Sequence, residues 1–510
     1  MPAESTPLQG GSDKKRVVGK NAWSPGCSDC PFAVLFIANI IFVIVFYFIW
    51  VGGGCHGFPS SDDINDLHGI DNETMASLSD ATVLTSTYSS IFALIWTIIY
   101  LGVMKIAAFW LIVGMNIIGI IITAVFGVVW MNYALTCKDF APECSNGICV
   151  PMACSNDQQT WAWIGAIVGY VVAALMLLWL CCIWRRIEFT AKMLSAVSGV
   201  LMVCPGTILV AFVAAIITVV WWGIWMGAYV QATVYAAGGE NKSVPYGTAI
   251  GVLFGMLICV WWGHKVFLNI AHMTSCHVIC SWYFDPETAN EGMPCCKPVT
   301  MTGLKRSTVN YLGSIAFGSL IVAILEAIYY TCKIVMDRVA ANSNIAVQII
   351  VCCFLCLLKC IKNCIEWLTE WAYCYIALYG VGFIEAGGKV FKMLADSGMG
   401  AVAQSTLVGP VLWLGCLCGA AIGVGAGYLT LQSHDVGHDY HWTQPVIGAV
   451  IGFVSCSVGL SCVDAGNKAI YVCYVDEPTL MGEREPSIKS YLDNNDVAKE
   501  AQAKASTIQP

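Results

Sequence analysis

The sequence predicts an all-α, polytopic membrane protein of about ten transmembrane helices with both termini in the cytoplasm. Three observations lead there. The 510 residues are 58% hydrophobic and only 11% charged, with a mean hydropathy of +0.71, whereas a soluble domain carries about a quarter charged residues. Apolar runs of roughly 20 residues, enough to cross a hydrocarbon core of about 30 Å as a helix, recur along nearly the whole chain. Lys and Arg gather in alternate connecting segments, as the positive-inside rule expects of cytoplasmic loops.

Residues 1–30 are polar, with Lys14, Lys15, Arg16 and Lys20, and read as a cytoplasmic segment. The run Pro31–Val51 lies too far in and is too long for a cleavable signal peptide, so it reads as the first crossing. The others fall near 88–104, 106–132, 160–184, 204–236, 246–283, 310–333, 345–379, 405–430 and 445–475. Lys359, Lys362 and Glu366 interrupt the eighth, which is expected to be broken or partly interfacial. The stretch from Arg185 to about Val203 reads as a helix lying on the inner surface ahead of Pro205. The transmembrane domain is thus 31–475, and the polar residues 476–510 read as a disordered cytoplasmic tail.

This parse places loops 52–87 and 431–444 outside, and neither contains Lys or Arg. Outer loops 133–159 and 237–245 hold one each, Lys138 and Lys242. The inner segments hold Arg185, Arg186, Lys192, Lys297, Lys305, Arg306, Lys389 and Lys392. The sequons at Asn72 (N-E-T) and Asn241 (N-K-S) both fall outside, where glycosylation is possible. Cys137, Cys144, Cys149 and Cys154 crowd one outer loop, where two disulfides are expected, with three connectivities open. Most other cysteines lie in helices and read as small apolar filler. The formal charge of -8 lies largely in outer loops and the tail, and nothing is basic enough to bind nucleic acid.

Within the ninth crossing Gly415, Gly419, Gly423 and Gly427 share one helical face. They form either a static packing seam or a sliding surface between bundles. In the sixth, His272, Cys276 and Cys280 share a face, with His264 two turns earlier, resembling a metal path on paper; packed or hydrogen-bonded side chains are the other account, and no metal site is assigned. Asp464 and Lys468, at i and i+4 in the tenth, can pair within their helix. The outer stretch "HDVGHDYH" sets His434, Asp435, His438, Asp439 and His441 together, as a solvated turn or a divalent-ion or pH-sensing site.

Five blocks resemble the choline transporter-like family of solute carriers: "MLSAVSGVLMVCPGTILVAFVAAIITVVWWGIWMGAYV", "LNIAHMTSCHVICSWYF", "NYLGSIAFGSLIVAILEAI", "WAYCYIALYGVGFIEAGGKVFKML" and "DAGNKAIYVCYVDEP". The likeness spans roughly Arg185–Leu492, with the blocks in the family's order. It implies ten helices, cytoplasmic termini and the carriage of choline or a related amine, in that family against protons. The chain departs from the family in a shorter first outer loop. It also has Thr369, Glu370 and Trp371 where many members read asparagine, arginine, asparagine, and Glu326 where glutamine is frequent.

A quaternary ammonium has no proton to donate, so aromatic faces must hold it, each worth about 0.5–2 kcal/mol. Candidates are Trp221, Trp222, Trp225 and Tyr229 in the fifth crossing and Trp261 and Trp262 in the sixth; the competing account is the aromatic belt of membrane proteins. An ionised Glu326, alone in an apolar run, must face a cavity, pair with a base or take up a proton. Either it balances the substrate's charge or exchanges a proton, or it is a structural acid. No nucleophile elbow, phosphate loop or zinc-protease helix occurs, so neither an enzyme nor a cofactor is expected.

The function expected is therefore a plasma-membrane transporter of choline or a close cationic amine, with membrane lipid as its other contact and an oligomeric state left open. The alternative is a non-transporting scaffold or lipid-handling protein on the same helical frame.

Overall fold

The structure is a computed structural model describing residues 29–52, 72–136, 144–145, 148–149, 156–236, 246–287, 291–293, 297–341, 345–397, 399–433 and 441–484. It is helical throughout, apart from an antiparallel pair of two-residue strands, Cys144–Ser145 with Ile148–Cys149. The helices are α1 (Cys30–Gly52), α2 (Asn72–Thr136), α3 (Asn156–Val203), α4 (Gly206–Ala236), α5 (Tyr246–Phe284), α6 (Pro298–Lys305), α7 (Leu312–Ala341), α8 (Ile345–Tyr379), α9 (Phe383–Ser397), α10 (Met399–Leu431), α11 (Thr443–Asp476) and α12 (Pro478–Arg484). Among the described residues nine helices are long and apolar enough to cross a membrane.

Helix α2 has 65 residues, about 97 Å at 1.5 Å per residue and far more than one crossing needs. Its helical geometry fails at Ala107 (φ -119°, ψ 19°), next to the boundary expected between the second and third crossings. The first half lies on α10 and α11: Trp96 Nε1 donates to Gly415 O (3.1 Å) and Tyr100 Oη to Val411 O (2.7 Å). The second half packs on α3, where Gly127 and Gly169 bring the two backbones into contact.

Three expectations change. The stretch after Arg185 does not lie on the inner surface as a separate helix; it continues α3 without a break, and Met193, Leu194, Val197 and Leu201 are fully buried in the core. Its apolar residues face α2, α10 and α11 rather than lipid, which composition cannot distinguish. The eighth crossing is likewise unbroken: Lys362, Glu366 and Glu370 each meet a partner across the bundle, while Lys359 is exposed. The start of the tail is also ordered: α12 folds back with Met481 buried, and Arg484 donates to the carbonyls of Tyr283 and Phe284 (2.8 and 3.2 Å). Residues 485–510 lie outside those described.

The glycine face of α10 meets the glycines of α11. Gly423 lies on Gly448, Gly419 on Gly452 and Cys456, Gly427 on Gln444 and Pro445, and Gly415 on Tyr100 and Leu460. Without side chains between them the two backbones touch, which provides the van der Waals contact that lipid does not replace.

At the other end of the bundle Gly380, with φ +71°, stops α8 in a conformation that costs other L-residues roughly 1 kcal/mol or more. The Asp29 carboxylate then accepts from Phe383 N (2.9 Å) and Ser314 Oγ (2.7 Å), fastening the start of α1 to α7 and α9.

Candidate functional site

Helix α8 has two halves of different character. Cys352, Cys353, Cys356, Cys360 and Cys364 are exposed, whereas Trp371, Tyr373, Cys374 and Ile376 are fully buried. Along its inward face run Lys362, Glu366, Glu370 and Cys374, four residues apart and therefore in line. Each meets a different partner across the bundle.

Lys362 Nζ stands 2.7 Å from Glu326 Oε2 on α7, with side-chain exposures of 13% and 6%, and also lies over the Tyr329 ring, 5.8 Å from its centre. Glu366 pairs with Lys265 on α5. Glu370 pairs with Lys468 on α11 at 2.5 Å, and the same ammonium reaches Asp464 at 2.5 Å. The i,i+4 pair foreseen in the tenth crossing is thus part of a three-membered cluster. Just beyond, Tyr373 donates to Ile315 O (3.0 Å) and meets Ser319 and Asn269, closing α5, α7 and α8 together.

The seven charges do not cancel. Lys265, Lys362 and Lys468 face Glu326, Glu366, Glu370 and Asp464, so one negative charge remains. It belongs to the α8–α11 end, where a single ammonium serves two carboxylates. Those carboxylates are also the accessible members: Glu370 is 29% and Asp464 34% exposed, against 4% for Lys468. A carboxylate that shares its cation and is partly open can accept a second cation at much lower desolvation cost than a buried one.

Aromatic rings flank this cluster. Trp371 packs against Trp367 (ring centres 5.6 Å apart) and Tyr471 (5.7 Å, edge-on). Trp371 is fully buried, and its Nε1 finds no hydrogen-bond partner among the described residues.

The residues selected from sequence are brought only partly together. Trp221 and Trp225 are buried, their Nε1 groups donating to Val260 O (3.1 Å) and Met256 O (2.7 Å), so they knit α4 to α5. Trp262 is also buried and donates to Ala316 O on α7 (2.9 Å). Tyr229 stacks on Trp225. Trp222 meets Trp261 edge-on (5.5 Å) and donates to His264 Nδ1 (3.4 Å). Trp261 stacks on Tyr330, with rings 5.2 Å apart and 3° from parallel, one turn along α7 from Glu326. A groove of about 610 Å³ elsewhere, lined by Phe42, Phe46, Val252 and Met256 among others, contains none of these side chains.

His272 and Cys276 do lie together, but their third neighbour is Cys374 of α8. Cys280 instead faces Cys473 at 3.5 Å. Asn241, Cys137, Cys154 and residues 434–440 lie outside the described residues, and for Asn72, Cys144 and Cys149 only the backbone is described. Sequence reading passed over Trp367 and Tyr471, and named Glu370 and Trp371 only as departures from the family pattern, not as site residues. The available signal was the four-residue spacing of charges within an apolar run, which marks an inward face.

The comparisons agree with this architecture. The family model described as plasma-membrane choline transporter matches residues 167–479. The chain is 28% identical over 342 residues to protein PNS1 of Gibberella zeae, covering 64% of this chain and 61% of that protein. It is 25% identical over 342 residues to PNS1 of Saccharomyces cerevisiae, covering 64% and 62%. It is also 24% identical over 326 residues to a CTL-like protein of Dictyostelium discoideum, covering 64% and 55%. The chain thus spans only 55–62% of these relatives' own lengths. The matched residues run from within α3 to the start of α12 and take in every member of the charged face; this integral, multi-pass membrane protein belongs to the choline transporter-like family.

Proposed function

We propose that the chain carries choline or a closely related cationic amine across the plasma membrane, and that the amine is held at the α8–α11 interface. The observation that carries the reading is the uncompensated charge: Glu370 and Asp464 share one ammonium and both remain partly open. Trp367, Trp371 and Tyr471 on the same two helices supply aromatic faces for methylated nitrogen. Discrete rearrangement of Lys468 between the two carboxylates would let one of them receive the substrate while the other keeps the lysine neutral. Family membership supports the substrate class, and the inner-helix location supports alternating exposure.

A second placement keeps the amine near Glu326, with Trp222, Trp261 and Tyr330. The Trp261–Tyr330 stack one turn from the acid favours it, whereas the Lys362 ion pair at 2.7 Å opposes it by already balancing that acid. Coupling to protons is the further element of the reading. Purified protein in liposomes, given labelled choline, a panel of amines and an imposed proton gradient, tests all of it. Accumulation that depends on the gradient and falls at least tenfold in Glu370→Gln supports the α8–α11 site; loss in Glu326→Gln with Glu370→Gln unaffected transfers it to α7. No accumulation of any amine by folded wild-type protein would leave a scaffold or lipid-handling role instead.

A further inference from the structure

Beside the charged cluster, but using none of its carboxylates, three soft ligands converge from two helices. His272 and Cys276 lie one turn apart on α5 and Cys374 faces them from α8, with the donor atoms all within 4.8 Å of one another. Cys276 Sγ is 3.3 Å from Cys374 Sγ, and Cys374 Sγ is 3.9 Å from His272 Nε2. Around a metal with bonds of about 2.3 Å to sulfur and 2.0 Å to nitrogen, ligand atoms sit roughly 3.5–4 Å apart. Shifts of a few tenths of an ångström would therefore form such a shell.

We propose that His272, Cys276 and Cys374 bind one Cu⁺ ion, which clips α5 to α8. Thiolate and imidazole ligands favour Cu⁺ and Zn²⁺ over harder cations. Zn²⁺ is less suited because it takes four ligands in structural sites, and among the described residues this group has three. Both thiols are fully buried and both touch the Ala465 carbonyl of α11 (3.7 and 4.0 Å), three residues before Lys468. His272 Nε2 rests 3.3 Å from the Glu370 carbonyl and would leave that contact to bind, placing the ion at the helix turn that carries Glu370.

The test is Cu⁺ titration of the purified full-length chain, kept reduced and anaerobic, in competition with a chromogenic Cu⁺ chelator. Other cysteines can bind copper, so the readout is a difference. Wild type should retain one more equivalent than Cys276→Ser/Cys374→Ser, and Cys280→Ser/Cys473→Ser should match wild type. His272→Asn, which leaves both thiols in place, should weaken the retained equivalent at least tenfold, and X-ray absorption of the one-equivalent protein should show two sulfurs and one nitrogen. Thermal stabilisation by Cu⁺ should follow the same pattern. Equal retention by wild type and His272→Asn would overturn the site, as would a Cys276–Cys374 disulfide in protein alkylated on isolation, which would make the pair a redox couple instead.

Discussion

Replacing Glu326 by Gln deletes one end of an ion pair in which Lys362 is 13% and Glu326 6% exposed. Two unit charges 2.7 Å apart attract by about 6 kcal/mol at an effective dielectric near 20, before the cost of removing them from water is subtracted. Stranding one member of a buried pair costs about 3–5 kcal/mol. Lys362 keeps some access and a Tyr329 face beneath it, so the lower end applies and Glu326→Gln should lose about 3 kcal/mol. Lys362→Met in the wild-type background should cost a similar amount, but in Glu326→Gln it should recover most of the loss, since a neutral pair leaves no buried charge. The assay is a double-mutant cycle on unfolding midpoints in mixed detergent, with choline uptake measured on the same preparations. A coupling energy near zero together with a raised KM for choline in Glu326→Gln would refute the reasoning: the acid would then be free of Lys362 and serving the substrate.

Four further outcomes are expected. Asp464→Asn and Glu370→Gln should lower choline affinity to a similar extent, because in each variant Lys468 neutralises the one carboxylate that remains and none is left over for the amine; competition binding with unlabelled choline measures both. Gly423→Val should cost about 2–4 kcal/mol in the same unfolding assay, since its side chain would fall on the Gly448 backbone and force α10 from α11, while Gly425→Val, where nothing lies within 4 Å, should be nearly neutral. Trp262→Phe removes the donor to Ala316 O, a carbonyl inside α7 that keeps its helical partner, so the lost hydrogen bond should cost only about 0.5–1.5 kcal/mol; intact choline uptake at permissive temperature would place the residue in packing. Gly380→Ala should lower stability by roughly 1–2 kcal/mol, because alanine resists the φ of +71° that ends α8.

Much of this architecture was legible before any coordinates. The crossings, the division near residue 105 and the glycine face of α10 follow from the length of apolar runs, charge asymmetry and helical spacing, all local properties of the chain. The sequence also showed that Glu326 needed a reason to exist in an apolar run, and that Asp464 and Lys468 could meet. It did not show who satisfies Glu326, because Lys362 is distant in sequence and pairing across helices depends on rotation and depth. For the same reason the stretch after Arg185 read as a surface helix: a helix with one apolar face is alike whether that face meets lipid or protein.

The chain by itself therefore determined that this is a helical membrane protein, with its apolar crossings, because those follow from the solvent each segment can tolerate. Only the tertiary structure decided which charges cancel. By turning Lys362, Glu366, Glu370 and Cys374 along one face of α8 toward α5, α7 and α11, it left a single negative charge between Glu370 and Asp464. Charge balance in a medium of low dielectric is set by distances between helices, and these are fixed when the bundle packs.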